Sequence, residues 1–358
     1  MPSRRDTDSN ENEKPVPAER LIFARNFRRK DMDVIASDPK SPSIASNRAE
    51  HDKRITEKLR RELGPQICEL LEDSTVIEIM LNPDGTLWVE RLGAPMEKIG
   101  TLPASRAESL MGTVASTLRT QITALNPILE CELPLDGSRF EALIPPVVAG
   151  PTFTIRKKAS KIFTLDNYVE SGIMTQAQCE AIEAAVRNRR NVLVVGGTGT
   201  GKTTLTNGII DYMAKACPQD RIVIIEDTGE LQCAAKNVVI LRAVDHVDMT
   251  RLLKATMRLR PDRILVGEVR DGAALALLKA WNTGHPGGAA TVHANSAPAG
   301  LIRMEQLVAE ATQAPMHALI AEAVDLIVSI EKTAGGRRIK EVVTVEGHDG
   351  TQYLTKPI

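Results

Sequence analysis

The stretch that decides the fold is VVGGTGTGKTTL, residues Val194 to Leu205, in which a glycine-rich loop and a lysine separate two apolar runs. From Gly196 to Thr203 it fits the pattern GxxxxGK[ST] in full. The residues before the loop, NVLVVGG, are typical of a buried strand, and TTLTNGIIDYMAKA after it is typical of a helix. Strand, loop and helix in this order predict a phosphate-binding P-loop.

Each part of this loop has an expected task. The glycines leave room for backbone N–H groups to curl around phosphate oxygens, and the start of the following helix favours negative charge. We expect Lys202 to reach the β- and γ-phosphates, Thr203 to ligate Mg²⁺ and Thr204 to meet an α-phosphate. The predicted nucleotide-binding residues of the loop are Gly196, Gly197, Thr198, Gly199, Thr200, Gly201, Lys202, Thr203 and Thr204.

Carboxylates follow the next two apolar strands, where open α/β sheets bind their ligands. IVIIEDTGEL presents Glu226, Asp227 and Glu230. RILVGEVRD presents Glu268. Gly267 stands at the position where many P-loop enzymes carry an aspartate, so metal binding and water activation must be divided among the acids in a different way. Alone, each cluster fits helix capping as well as catalysis. Together, after a P-loop, they favour catalysis.

Length and composition are those of an ordinary globular protein. The 358 residues exceed one compact core and predict two domains. A net charge of −1 and an aromatic content of 3% argue against a nucleic-acid-binding surface. The five cysteines are far apart and show no CxxC pair, so they predict neither a disulfide framework nor a zinc site. No apolar run reaches the ~18–20 residues of a membrane span and the N-terminus lacks a signal peptide, so we expect a cytoplasmic protein.

Changes in composition and periodicity divide the chain into four parts. Residues 1–52 are polar and predict a mostly disordered tail. Residues 53–158 mix helical patterns with short strands and predict an N-terminal α+β domain. Residues 159–175 read as a linker, because Ser, Asn, Asp and Gly break the periodicity. In residues 176–358 apolar strands alternate with helices, which predicts an α/β domain with a mainly parallel sheet and a closing hairpin.

The tail carries one apolar island, LIFARNF, with arginines in and around it. Two interpretations stay open. One is a basic amphipathic helix that contacts a membrane or a partner. The other, which composition favours, is a short helix that packs on its own domain or has no role.

A fourth motif, GHPGGAATVHANS, places His285 and His293 around a glycine turn and a short strand. The ordered set GGTGTGKTT, IEDTGEL, RPDRILVGEVRD and GHPGGAATVHANS resembles the traffic ATPases of type II and type IV secretion and of type IV pilus machines, conjugal-transfer members above all. The resemblance covers roughly residues 55–345.

The resemblance implies an architecture and a setting. Members of this family are hexameric rings in which an N-terminal domain and a RecA-like C-terminal domain clamp ATP. They drive pilus assembly or substrate transfer at the cytoplasmic face of the inner membrane. We therefore expect a Mg²⁺-dependent ATPase that assembles as a homo-oligomeric ring. Its expected partners are inner-membrane components of a secretion or conjugation machine, and peripheral contact with the membrane is possible.

The resemblance also implies roles for residues beyond the P-loop. Glu230 becomes the catalytic base or water-positioning group. Glu268 becomes the acid near Mg²⁺, with Thr203 and Glu226 as the other expected metal ligands, and His293 becomes the sensor of the γ-phosphate. For His285, contact with the nucleotide and a purely structural role both stay open.

Arginines are the remaining expected phosphate ligands. Arg139 in DGSRFEALIPP and Arg156 in TFTIRKK match positions at which the family's N-terminal domain supplies cations to phosphate. Both fit equally well as solvated strand residues paired with acids. Arg260 and Arg270 flank the Glu268 strand as candidates for an interface or an arginine finger. The sequence does not decide which arginine acts across an interface.

Two competing functions begin with the same loop. One is a RecA-like DNA motor or nucleic-acid-binding ATPase, which the balanced charge and scarce aromatics disfavour. We expect no sequence-specific nucleic-acid binding. The other is a scaffold that binds ATP without hydrolysing it, which would need Lys202 but neither Glu230 nor Glu268.

Overall fold

The structure is a computed structural model that describes residues 44–158, 162–244 and 246–358. The apolar island and most of the predicted tail lie outside these residues. The first helix begins at Ile44, inside the last part of that predicted tail. Within the described ranges, no helix is both long and apolar enough to cross a bilayer.

Strands of the N-terminal region form an antiparallel sheet in the order β3-β2-β1-β6-β5-β4. Its strands are β1 (Val76–Leu81), β2 (Thr86–Arg91), β3 (Glu97–Thr101), β4 (Ile128–Glu132), β5 (Arg139–Leu143) and β6 (Thr152–Arg156). One face carries apolar residues such as Ile79, Phe140 and Ile155 and packs against α1 (Ile44–Glu72) and α2 (Ala104–Thr117). The opposite face carries mostly polar residues, among them Glu78, Arg139 and Arg156, as the alternation along the strands predicts.

The first helix is broken at Gly64. This residue has φ 79° and ψ 167°, a left-handed φ that favours glycine, and Pro65 then starts the second helical segment. The guanidinium of Arg106 on α2 donates to the carbonyl oxygens of Arg61, at 3.3 Å, and Glu62, at 3.1 Å. These bonds satisfy carbonyls at the end of the first segment.

The C-terminal region forms a second sheet in the order β14-β13-β12-β7-β11-β10-β8-β9. Its strands are β7 (Val192–Gly196), β8 (Ile222–Glu226), β9 (Val238–Arg242), β10 (Arg263–Val266), β11 (Ala289–His293), β12 (Leu326–Thr333), β13 (Gly336–His348) and β14 (Tyr353–Pro357). All pairs from β12 to β9 are parallel, and β12, β13 and β14 are joined antiparallel. The predicted parallel sheet and closing hairpin are therefore confirmed.

Helices cover both faces of this sheet. They are α3 (Leu165–Glu170), α4 (Gln176–Arg187), α5 (Lys202–Ala216), α6 (Met249–Thr256), α7 (Ala273–Asn282), α8 (Ala297–Ala309) and α9 (His317–Ala323). Helices α3, α4 and α5 pack in one apolar cluster, and α7, α8 and α9 in another. This two-sided covering explains why β7, β8 and β10 are buried along their whole length.

Part of the predicted linker is helical. Thr164 and Asn167 form a capping box at the start of α3, and the side chains of Leu165 and Tyr168 are buried against α4 and α5. With six residues, this helix is too short for its periodicity to show in the sequence. The boundaries of the four predicted parts and the hinge role of this segment stay predictions.

The parallel register brings the ends of four strands together. His293, the last residue of β11, pairs with Gly196, the last residue of β7. Val266 at the end of β10 pairs with Ile225 near the end of β8. The residues that follow these strands therefore lie close together at the carboxyl ends of the strands. We call this end of the sheet the carboxyl edge, and the opposite end, at the amino ends of the strands, the amino edge.

A buried charge cluster supports the amino edge and gives a test of the fold. Arg263 on β10 is only 1% exposed, and its guanidinium donates to the carboxylate of Asp220, to Gly287 O at 3.0 Å and to Cys217 Sγ at 3.2 Å. We predict that Arg263→Met lowers the free energy of unfolding by about 3–5 kcal/mol, because it leaves buried acceptors without a donor.

The measurement is urea unfolding followed by circular dichroism. The control is Arg251→Met at an exposed arginine of α6, for which we expect a change within about 0.5 kcal/mol. Equal effects of the two substitutions would contradict the structural role of Arg263.

Candidate nucleotide-binding site

The predicted P-loop is the turn between β7 and α5. Gly199 and Gly201 have φ values of 69° and 100°, which favour glycine. A Cβ on Gly196 would lie 2.6 Å from both Ile330 O and Thr200 Oγ1, so a side chain does not fit there. Among the described residues no side chain caps the start of α5, so its first N–H groups stay available to an anion.

Lys202 lies at the centre of this loop. Its ammonium group donates to Gly197 O at 3.0 Å and lies 3.3 Å from His293 Nδ1. Burial lowers the pKa of Lys202, and the carboxylate of Glu268 opposes this shift. The lysine is thus a largely desolvated cation, and its hydrogen bond to Gly197 O joins the end of the P-loop to its beginning.

A chain of charged groups extends from Lys202 along the carboxyl edge. His293 Nε2 lies 2.9 Å from Glu268 Oε1, and Arg270 donates to Glu268 Oε2 at 2.7 Å. Arg270 also pairs with Asp227 Oδ2 at 2.9 Å. Burial, followed by the nearby Lys202, lowers the pKa of His293, so its imidazole is neutral at pH 7. The carboxyl edge therefore carries two cations and two carboxylates, with the neutral imidazole of His293 between Lys202 and Glu268.

Glu226 has a different environment from the other acids. It is 2% exposed, burial raises its pKa, and its Oε2 accepts a bond of 3.0 Å from Leu231 N. A Cβ on Gly267 would lie 3.1 Å from Glu226 Cβ, which is tighter than an ordinary contact. This close approach gives a physical reason for glycine at position 267. The metal-ligand role of Glu226 stays a prediction.

The N-terminal sheet contributes to the same region. Arg156, at the end of β6, has its Nε 3.9 Å from Glu230 Oε1. Arg139 on β5 is the cross-strand partner of Arg156, so the two arginines lie side by side on the polar face of that sheet. The structure therefore brings Arg156 to the predicted catalytic acid, with Arg139 as its neighbour.

The remaining candidates lie in two places. Arg270 is at the carboxyl edge but is paired with two carboxylates of its own chain. Arg260 is exposed and precedes β10, and His285 precedes β11, so both lie toward the amino edge. The role of His285 stays a prediction.

Two residues near the site were missed by sequence reasoning. Arg337 on β13 donates to Gly199 O at 3.3 Å, from 138 residues away, and the sequence carries no signal for such a contact. Asn207 on α5 bonds to the backbone around Glu230. Its signal was a polar residue on the buried face of the helix that follows the P-loop.

The predicted metal ligands at the carboxyl edge are all oxygen donors. Thr203 supplies a hydroxyl beside Lys202, Glu226 ends β8, and Glu268 follows the neighbouring strand β10. Hydroxyl and carboxylate oxygens are the ligands that Mg²⁺ prefers in phosphate-binding sites. The predicted ligand set is therefore chemically consistent with this metal.

Comparison with known proteins agrees with this geometry. The family described as type II/IV secretion system protein matches residues 63–334. The probable conjugal transfer protein TrbB of Sinorhizobium fredii is 56% identical over 300 residues, which cover 84% of this chain and 92% of that protein. The type IV secretion system protein VirB11 of Bartonella quintana is 31% identical over 328 residues, covering 77% and 90%.

A solved structure supports the fold independently. The Legionella pneumophila ATPase DotB aligns with a TM-score of 0.56 and 19% identity over 82% of this chain and 81% of that chain. The resemblance to secretion traffic ATPases, and to their conjugal-transfer members, is confirmed. Together with the complete P-loop, these matches show that the chain is a P-loop ATPase and belongs to the type II/IV secretion system protein family.

Proposed function

We propose that this protein is a Mg²⁺-dependent traffic ATPase that forms a hexameric ring and powers conjugative pilus assembly or substrate transfer through a type IV secretion system. It works at the cytoplasmic face of the inner membrane, on membrane components of that machine. The relatives named for conjugal transfer and type IV secretion support this setting. The ring and its subunit number rest on the family resemblance.

One observation carries the catalytic part of the proposal. Lys202, Glu268 and His293 are joined at the carboxyl edge. Glu230, in the turn after β8, acts electrostatically on Lys202 and has Arg156 of the other sheet beside it. Phosphoryl transfer needs positioning and charge neutralisation more than covalent chemistry. This group of side chains offers both.

The proposed chemistry follows from the contacts. Lys202 exchanges its bond to Gly197 O for phosphate oxygens, which are stronger acceptors for an ammonium group. Glu230 orients the attacking water, and His293 senses the γ-phosphate through its contacts with Lys202 and Glu268. Magnesium, held by Thr203 and Glu268 with Glu226 behind them, would supply charge neutralisation at the phosphates.

Ion pairs between the N-terminal sheet and the C-terminal region support a clamp. Besides Arg156 and Glu230, Arg242 Nη1 of β9 lies 2.8 Å from Glu132 Oε1 of β4. The polar face of the N-terminal sheet thus lies against the turn that carries Glu230. We infer that ATP is held between these parts and that residues 159–175 act as the hinge when the clamp opens.

The P-loop lysine gives the first test. We predict that Lys202→Ala lowers both ATP affinity and turnover, by on the order of 10²-fold or more in turnover, because the phosphates then face only backbone dipoles. Binding of a fluorescent ATP analogue and release of phosphate measure the two effects. Lys215→Ala, on the exposed end of the same helix, is the control and should change neither. A Lys202→Ala protein that hydrolyses ATP normally would refute the site.

The two acids give the second test. We predict that Glu230→Gln and Glu268→Gln bind ATP but lose about 10²–10⁴-fold in kcat, because each keeps its shape and loses the charge that orients water or metal. Glu310→Gln, at an exposed acid after α8, should leave kcat unchanged. Lower ATP affinity with normal kcat in both variants would show that the two acids support the site and do not act in hydrolysis.

The third test concerns assembly. We predict that a non-hydrolysable ATP analogue favours the ring in mass photometry, and that Lys202→Ala subunits mixed with Arg139→Ala, Arg156→Ala subunits regain activity when the arginines act across an interface. A protein that stays monomeric with nucleotide and still hydrolyses ATP fully would refute the ring. Absence of rescue in the mixture would favour arginines that act within one subunit.

A further inference from the structure

Asn207 occupies an unusual position for a polar side chain. It lies five residues after Lys202 on α5 and is 2% exposed. Its Nδ2 donates to Glu230 O at 3.1 Å, and its Oδ1 accepts from Gln232 N at 2.9 Å. One amide group therefore binds the backbone on both sides of Leu231.

The residue between these two bonds is also fixed. Leu231 N donates to Glu226 Oε2 at 3.0 Å, and the Leu231 side chain is buried in the core cluster that contains α5. Two buried side chains, Asn207 and Glu226, thus hold three consecutive residues of the turn. The Glu230 backbone cannot move relative to α5 without breaking its hydrogen bond to the buried Asn207 side chain. Breaking this bond costs free energy.

We propose that Asn207 is a positioning residue for ATP hydrolysis: it ties the backbone of Glu230 to the helix that begins with Lys202 and so fixes the distance between the water-orienting carboxylate and the phosphate-binding loop. This inference rests on the role of Glu230 in the proposed function. The Asn207 amide is occupied by the turn, so its effect on hydrolysis passes through Glu230.

Asparagine is suited to this task by its chemistry. The turn presents a carbonyl oxygen at Glu230 and an N–H at Gln232, and a primary amide carries a donor and an acceptor that match the two. An ionised aspartate offers only acceptors and would place an oxygen against Glu230 O. Asparagine is also a poor helix former, so its place inside α5 has a cost that these bonds offset.

The experiment measures steady-state ATP hydrolysis and ATP-analogue binding on the full chain. We expect Asn207→Ala to lower kcat by on the order of 10²-fold with affinity changed by less than about threefold, because a shift of about 1 Å in a catalytic group has effects of this size. Asn207→Asp keeps the volume and should lose at least as much kcat. It also tests the inference if the alanine variant does not fold.

The second measurement asks whether Asn207 acts through Glu230. The double variant Glu230→Gln, Asn207→Ala should have the same kcat as Glu230→Gln alone, since the carboxylate that Asn207 positions is already absent. A purely structural role would give multiplied losses in the double variant.

Asn191 supplies a matched control. It is also 2% exposed, its Nδ2 donates to Ala323 O at 2.8 Å, and its Oδ1 accepts from Gly287 N and Gly288 N. It makes the same kind of backbone bridge at the amino edge. We expect Asn191→Ala to lower the melting temperature as Asn207→Ala does, while the folded protein keeps the kcat of the wild type.

The outcomes are separable. If Glu230→Gln abolishes turnover while Asn207→Ala and Asn207→Asp keep kcat within about twofold, the inference about Asn207 is overturned and the proposed function stands. If Glu230→Gln itself keeps the kcat of the wild type, the role of Glu230 fails and this inference falls with it. Equal loss of kcat in Asn191→Ala and Asn207→Ala would show a general loss of stability and would also overturn it.

Discussion

The parallel register of β7, β8, β10 and β11 is the constraint on which the site depends. It pairs Gly196 with His293 and brings the ends of β8 and β10 level, so residues more than 90 positions apart in the chain meet at one edge. The strands are held in this register by side chains buried on both faces, and a slip of one residue would turn each of those side chains to the opposite face. The core thus determines where the charged groups lie.

Those charged groups are balanced in sign. Lys202, Arg270 and Arg156 lie among Glu268, Asp227 and Glu230. Contacts link Lys202 through His293, Glu268 and Arg270 to Asp227, and a separate ion pair joins Arg156 to Glu230. A nucleoside triphosphate brings several negative charges to this edge, so in the proposed mechanism it competes with the carboxylates for the same cations. Binding then changes which partners the cations have, and the N-terminal sheet, which supplies Arg156, responds to that change.

Features with strong local signals could be predicted from the sequence. The P-loop, the buried strands and the acids after β8 and β10 were all readable, because the glycine pattern and the apolar runs are local signals. The strands β3, β9 and β14 were not predicted, since each has five residues and none of these residues is buried. Contacts such as Arg337 with Gly199 were beyond reach because they depend on how distant strands pack. The close approach of Glu226 to Gly267 likewise became visible only in three dimensions.

In the proposed mechanism, ATP displaces the bond between Lys202 and Gly197 and places its γ-phosphate between Lys202 and Glu230. A cryo-electron microscopy structure of the full chain with Mg²⁺, ADP and aluminium fluoride tests it most directly. We expect Lys202 Nζ to contact oxygen or fluoride atoms of the ligand, with Gly197 O released and the Glu230 carboxylate facing the attacking water. A ligand bound elsewhere, or a P-loop that keeps the bond between Lys202 and Gly197 beside a bound nucleotide, would contradict it.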